Sequence, residues 1–227
     1  MKIVTALSGE GEFTIKHVQA LAKQLDEHAP FTSFACITNE KVPGVTCLPN
    51  HNKWPGWWIK FEAFAPEIKG PILWMDLDTI ILGPLDDILA VRKLTLLRDF
   101  YRTGKPVPRG LNLQRRPGSP KPEGLGAGLM LLNEEDRKEP YEYFSKNPRP
   151  YMEQYRNQGD QPLLESYYLK HAQRWQDVVP GQIVSWKVDC CGANEFQKPA
   201  IPVDARVICF HGTPRPWSVD QFKDLYV

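Results

Sequence analysis

The stretch from Pro71 to Leu85, PILWMDLDTIILGPL, restricts the fold of this chain more than any other. Ile72, Leu73, Trp74 and Met75 lead in, Thr79, Ile80, Ile81 and Leu82 lead out, and Pro71 and Gly83-Pro84 act as breakers. A short β-rich apolar run between breakers reads as one buried strand. Asp76 and Asp78 sit inside it. Unpaired buried carboxylates are costly, so something positive must face them. Residues i and i+2 of an extended segment project to the same side, and two such carboxylates can share a hard divalent cation that offsets their repulsion. The alternative is a turn, with an Asp capping nearby backbone amides. That accounts for one carboxylate more easily than for two.

Strand and helix patterns alternate around this run. KIVTAL reads as a first strand ending at Ser8-Gly9. From Thr14, the apolar residues Ile15, Val18, Leu21, Ala22 and Leu25 fall on one helical face. FTSFACIT and VTCLPN read as strands, and WPGWWIKFEAFAPEI as a helix with Ile59, Phe61, Ala63 and Phe64 turned inward. PLDDILAVR begins a helix or turn. KLTLLRDF, LGAGLMLLN, RWQDVVP, GQIVSWKVDC and ARVICFHG read as strands, and EEDRKEPYEYFSKN as a helix. GDQPLLESYYLKH reads as another, with Leu163, Leu164, Tyr167 and Tyr168 as its apolar face. No internal repeat is visible. The pattern predicts an α/β domain with a largely parallel sheet flanked by helices. Ligands in such sheets sit at the carboxyl ends of strands, where Asp76 and Asp78 fall.

The totals fit this reading. At 227 residues, 42% hydrophobic, the chain suits a single domain over 1–227. A formal net charge of +1 argues against a protein built mainly to coat nucleic acid or an acidic membrane. The N-terminus turns polar too soon for a signal peptide or anchor. The five cysteines form no CxxC pair, which favours free thiols and a cytoplasmic location. Residues 101–124 are rich in Pro, Gly and cationic residues and lack periodicity, as expected of a long loop. Arg102, Lys105, Arg109, Arg115, Arg116 and Lys121 face one acid there, Glu123. The loop is either a platform for an anionic acceptor, such as a phosphorylated glycan or modified nucleic acid, or a solvated surface. Trp54, Trp57 and Trp58 form an aromatic cluster suited to stacking on a sugar or to core packing.

Two enzyme classes carry such an aspartate pair. Haloacid-dehalogenase-like phosphatases place theirs on the first strand of the chain, whereas about 70 residues of α/β pattern precede it here. Their later metal motif wants an Asp where Leu164 stands. The other class fits along most of the chain. ILWMDLDTIIL, GAGLMLLN, GDQPLL and CFHGTPRPW occur in the order found in GT-A glycosyltransferases. The sequence resembles members of glycosyltransferase family 8, the glycogenin-like and bacterial galactosyltransferase-like enzymes.

That resemblance implies a single Rossmann-like GT-A domain and a metal-dependent transfer from a nucleotide sugar, UDP-linked, with retention. It implies Mn2+ or Mg2+ held by Asp76, Asp78 and His211, with Cys209 as the competing third ligand. Thr5, Ala6, Leu7 and Ser8 would contact the nucleobase and ribose, and Asp76 the ribose. Lys60, Gly128, Gly212 and Arg215 would approach the rest of the donor, Arg215 by gripping phosphate oxygens with its fork. Asp160 would hydrogen-bond the donor sugar and Gln161 would lie beneath its anomeric carbon. Gly126 stands where relatives often have Asn or Asp, which leaves the sugar open. A non-catalytic nucleotide- or glycan-binding module of the same fold is the remaining alternative.

Overall fold

The computed structural model describes residues 1–102, 122–191 and 199–226. Four parallel strands, β1 (Lys2–Ala6), β2 (Ser33–Ile37), β3 (Thr46–Leu48) and β4 (Ile72–Met75), lie in the order β3-β2-β1-β4. A second strand set, β5 (Thr79–Ile81), β9 (Ile183–Ser185) and β10 (Val207–Cys209), forms a small three-stranded sheet. The main sheet continues past β4 with β7 (Leu125–Leu132), β6 (Thr95–Arg98) and β8 (Gln173–Arg174). Of these seven strands only β7 runs antiparallel to its neighbours.

Alternation along the central strands fills both faces, which is why their sequences read as unbroken apolar runs. Ile3, Leu73 and Met75 point to one side, where Val18, Leu21 and Leu25 of α1 (Ile15–His28) cover them. Val4, Ile72 and Trp74 point to the other, against Phe61 and Phe64. There Phe144 of α3 (Glu134–Lys146) stacks on Phe61 at a centroid distance of 4.1 Å. The short helix α2 (Asp86–Ala90) follows β5. α4 (Pro148–Gln154), α5 (Gln161–Tyr168) and α6 (Trp175–Val178) complete the layers.

The α/β architecture stands as expected; several local readings change. The run from Pro71 to Leu85 is not one strand. β4 ends at Met75, Asp76–Asp78 form a turn, and β5 pairs antiparallel with β10 in the small sheet. The turn is held by Asp76 N–H donating to the Gly128 carbonyl at 2.9 Å, and Thr79 N–H to that of Asp76 at 3.2 Å. The aromatic segment Gly56–Phe64 is a 3-10 helix rather than an α-helix, although its four inward residues are buried as read. RWQDVVP is mostly the helix α6, because Trp175 is pulled fully into the core. GQIVSWKVDC keeps only three strand residues before a π-helical turn, Trp186–Cys190. Most of the basic 101–124 stretch lies outside the described residues. No helix among the described residues is long and apolar enough to cross a membrane.

Candidate active site

The carboxyl ends of β1 and β4 open onto two adjoining cavities, of about 260 and 380 Å3. Both are lined by Trp57, Lys60, Asp76, Asp78 and Arg215. Thr5, Ala6 and Ser8 line the first, together with Glu12 and Phe13. Gly128, Asp160, Gln161, His211 and Gly212 line the second. Of the donor, metal and catalytic residues that the resemblance implies, Leu7 faces neither cavity. Its side chain is in the core and its N–H is donated to the Ile37 carbonyl at 2.9 Å.

A buried charge cluster sits where the cavities meet. Lys60 lies on the 3-10 helix with its ammonium enclosed, 2.8 Å from Asp160 Oδ2 and 3.3 Å from Asp76 Oδ1. It also donates to the Ala127 carbonyl at 3.0 Å. Burial opposes its charge, but the Asp160 and then the Asp76 carboxylate outweigh it and hold the amine protonated. For Asp160 the larger effect is burial, which pushes its carboxyl up while Lys60 pulls it down. Asp76 is further fixed by Trp74, whose indole N–H donates to Oδ1 at 2.7 Å.

Asp78 is buried beside Asp76, and burial first, then the Asp76 charge, raise its pKa. Arg215 answers that charge. Its guanidinium pairs with Asp78 through one nitrogen and with Glu12 through the other. The same group packs over the rings of Phe13 and Trp217, at 5.4 and 5.9 Å. The first strand-end loop and the closing motif are therefore joined across the first cavity by one arginine.

Two adjacent carboxylates, one of them buried, suit a hard divalent cation. The two residues that the resemblance offers as third ligand, His211 and Cys209, line the second cavity with Asp76 and Asp78. His211 Nε2 lies 2.7 Å from Ser185 Oγ, and its ring stacks on Phe100 and meets Tyr101 edge-on. Burial, then Lys187, lower its pKa to about 4, so the ring is neutral. Cys209 is buried, and its thiol is pushed up by burial and then by Asp78, so it stays protonated. Among the described residues no three His, Cys, Asp or Glu side chains converge as a metal site.

Thr5 supplies a different kind of signal. It is fully buried at the first cavity, and its Oγ1 has no hydrogen-bond partner among the described residues. A buried hydroxyl at a cavity wall is completed by an ordered water or by a polar atom of a ligand.

No protein-family model matches the sequence, and no curated protein matches it. Solved structures do match its fold. The galactosyltransferase LgtC, determined in complex with donor and acceptor sugar analogs, superposes with a TM-score of 0.66 at 14% identity. That alignment covers 100% of this chain and 95% of LgtC. The fold is that of the GT-A glycosyltransferases. The glycosyltransferase GlyE of Streptococcus pneumoniae TIGR4 aligns at 15% identity and TM-score 0.63, over 99% of this chain and 59% of GlyE. Mouse xyloside xylosyltransferase 1 aligns at 13% and 0.54, over 94% and 97% of the two chains.

Within this GT-A fold, several residues at the site were not read from sequence. Glu12 and Phe13 follow the Gly9–Gly11 loop, and that loop was the available signal. Asp99 lines the second cavity at the end of β6, where it accepts from Arg102 Nε at 2.8 Å and Gln161 Nε2 at 3.3 Å. Lys187 comes within 3.6 Å of where a Cβ on Gly212 would stand. Nothing in its own sequence context announced it, because the π-helical turn that carries it reads as strand.

Proposed function

We propose that this chain is a glycosyltransferase taking a sugar from a nucleotide-sugar donor, UDP-linked, to an acceptor, with retention of configuration. The observation that carries this reading is the Lys60, Asp76, Asp78 and Asp160 cluster at the junction of two cavities on a GT-A fold. LgtC, with the same fold, binds donor and acceptor sugar analogs in its crystal structure.

The nucleoside occupies the first cavity, with Thr5 Oγ1 and the backbone of Thr5 and Ala6 meeting the base and ribose. The diphosphate crosses the junction. Asp76 and Asp78 would hold a divalent ion, Mn2+ or Mg2+, which would supply positive charge to neutralise the departing diphosphate. Arg215 turns from Asp78 to the phosphate oxygens, which suit its planar fork. Lys60 keeps Asp76 and Asp160 from repelling one another while the site fills. The sugar enters the second cavity, where Asp160 orients its hydroxyls and Gln161 lies at the reacting face. Gly128 and Gly212 leave room for its approach.

Retention is supported by the carboxylates around that cavity. An inverting displacement needs a general base within reach of the acceptor hydroxyl. Asp160 is tied to Lys60, and Asp99 to Arg102 and Gln161. Among the described residues neither of these is free for that role, and the other two carboxylates of the cavity, Asp76 and Asp78, are assigned to the cation. The test is to incubate the protein with UDP-glucose, UDP-galactose and related donors plus Mn2+ and follow UDP release. Turnover that disappears in Asp160→Asn supports the reading. No release from any donor, together with no UDP binding, would leave only the fold.

A further inference from the structure

Three tryptophans lie within five positions, and the fold separates them sharply. Trp54 and Trp58 are 6% and 5% exposed and pack around Phe144, Trp58 stacking on it at 5.2 Å with an interplanar angle of 9°. Trp57 is 58% exposed. A 3-10 helix explains the split: its three-residue turn sends neighbouring side chains in different directions, so Trp58 goes inward and Trp57 outward.

Trp57 is exposed in a particular place. It lines both cavities, on the same turn of chain that carries Lys60 into the charge cluster. One part of its indole rests on Gly159, the residue before Asp160. A Cβ there would stand 3.1 Å from Trp57 Cδ2, and Gly159 also has φ of +74°. Only glycine fits both conditions. The ring is thus seated on the backbone next to Asp160 while much of its surface stays open to the cavities. Leaving so much of a tryptophan in water forgoes a large apolar burial.

We propose that Trp57 is a stacking platform for a pyranose ring, positioned to set which sugar lies against Asp160. This rests on the nucleotide-sugar reading above. A pyranose presents a flat C–H face that suits an indole, while its hydroxyls remain free for the polar wall of Asp160, Gln161 and Asp99 across the second cavity. The nucleobase is a poorer match, because Thr5 and Phe13 belong to the first cavity alone and Trp57 sits at the junction. The ring can come from the donor or from a glycan acceptor; the chemistry is the same and the test separates them.

Protein labelled with 5-fluorotryptophan gives one 19F resonance per indole, and Trp57→Phe assigns that of Trp57. UDP with Mn2+, UDP-glucose, UDP-galactose and a panel of methyl glycopyranosides added after UDP are titrated, with calorimetry in parallel. A Trp57 shift with UDP-sugar but not UDP places the donor sugar on the ring. A shift only with a methyl glycoside places the acceptor there. Trp57→Ala should then weaken that sugar's binding at least about tenfold, the scale of one lost aromatic contact, with Trp57→Phe recovering most of it. A shift as large with UDP alone would make Trp57 a base platform and overturn the proposal. Sugars that bind by calorimetry without moving the resonance would overturn it too, leaving the transferase reading intact. If neither UDP nor any UDP-sugar binds, both readings fall together.

Discussion

The Lys60 ammonium lies 2.8 Å from an Asp160 carboxylate oxygen, although 100 residues of chain separate the two and both are buried. One lysine also serves Asp76, so two acids from opposite sides of the junction share it. Lys60→Met keeps the volume but leaves the buried Asp160 carboxylate without its ammonium partner and takes one partner from the half-buried Asp76. Breaking a buried pair by removing one partner costs about 3–5 kcal/mol, and urea unfolding should register a loss of that size. Lys60→Met with Asp160→Asn should regain part of the stability and none of the turnover. A single variant as stable as wild type would mean that the cluster is not formed in solution.

Arg215 makes a prediction with two opposite signs. Its guanidinium pairs with Asp78 and Glu12, so a cation bound by Asp78 would compete with it. Arg215→Ala should therefore bind Mn2+ alone more tightly than wild type. The same variant should bind UDP with Mn2+ more weakly, by about tenfold for one charge-assisted contact. Electron paramagnetic resonance of free Mn2+ and calorimetry of UDP read the two effects separately. A change of the same sign in both would contradict the exchange.

Much of this was legible beforehand. Breakers and apolar alternation located β1, β2, β4, β7 and α1, and the aspartate pair located the strand ends. What sequence could not carry was the switch between sheets inside Pro71–Leu85. A continuous apolar run looks the same whether its two halves pair in one sheet or two. Lys60 was read as a cation near the donor, with a solvated helix residue as the alternative, but its burial between Asp160 and Asp76 was not legible, because 100 residues separate it from Asp160. The Ser185 hydroxyl against the His211 ring was likewise out of reach of the sequence, because 26 residues separate the two.

That placement gives a pH dependence. His211 titrates near 4 in the folded chain, against about 6.5 unfolded. Between those values the unfolded state binds more protons, so stability rises with pH there. The histidine's contribution is whole above about pH 6.5 and is lost on acidification towards 4, by roughly 3 kcal/mol at most. Melting temperature measured from pH 7.5 to 4.5 should fall less steeply in His211→Gln than in wild type. Parallel curves would show that the ring is not held neutral.

Two glycines of β7 should respond differently to a methyl group. At Gly128 a Cβ would stand 3.3 Å from Asp76 Oδ2; at Gly126 it would stand 3.1 Å from Leu97 Cβ. Gly128→Ala should disturb the Asp76 carboxylate and weaken Mn2+-dependent UDP binding, with little loss of stability. Gly126→Ala presses on a buried leucine, and overpacking of that kind costs about 1–3 kcal/mol. Equal stability losses would mean that Asp76 is not held where Gly128 would touch it.

Calorimetric titration of UDP, with and without Mn2+, into wild type and Asp78→Asn tests the central claim most directly. A nucleotide-sugar site built on Asp76 and Asp78 predicts tight binding by wild type only when Mn2+ is present. Asp78→Asn should fold normally, by circular dichroism, and lose the Mn2+-dependent part. Binding that is undiminished in Asp78→Asn, or absent from wild type with Mn2+, would contradict the account.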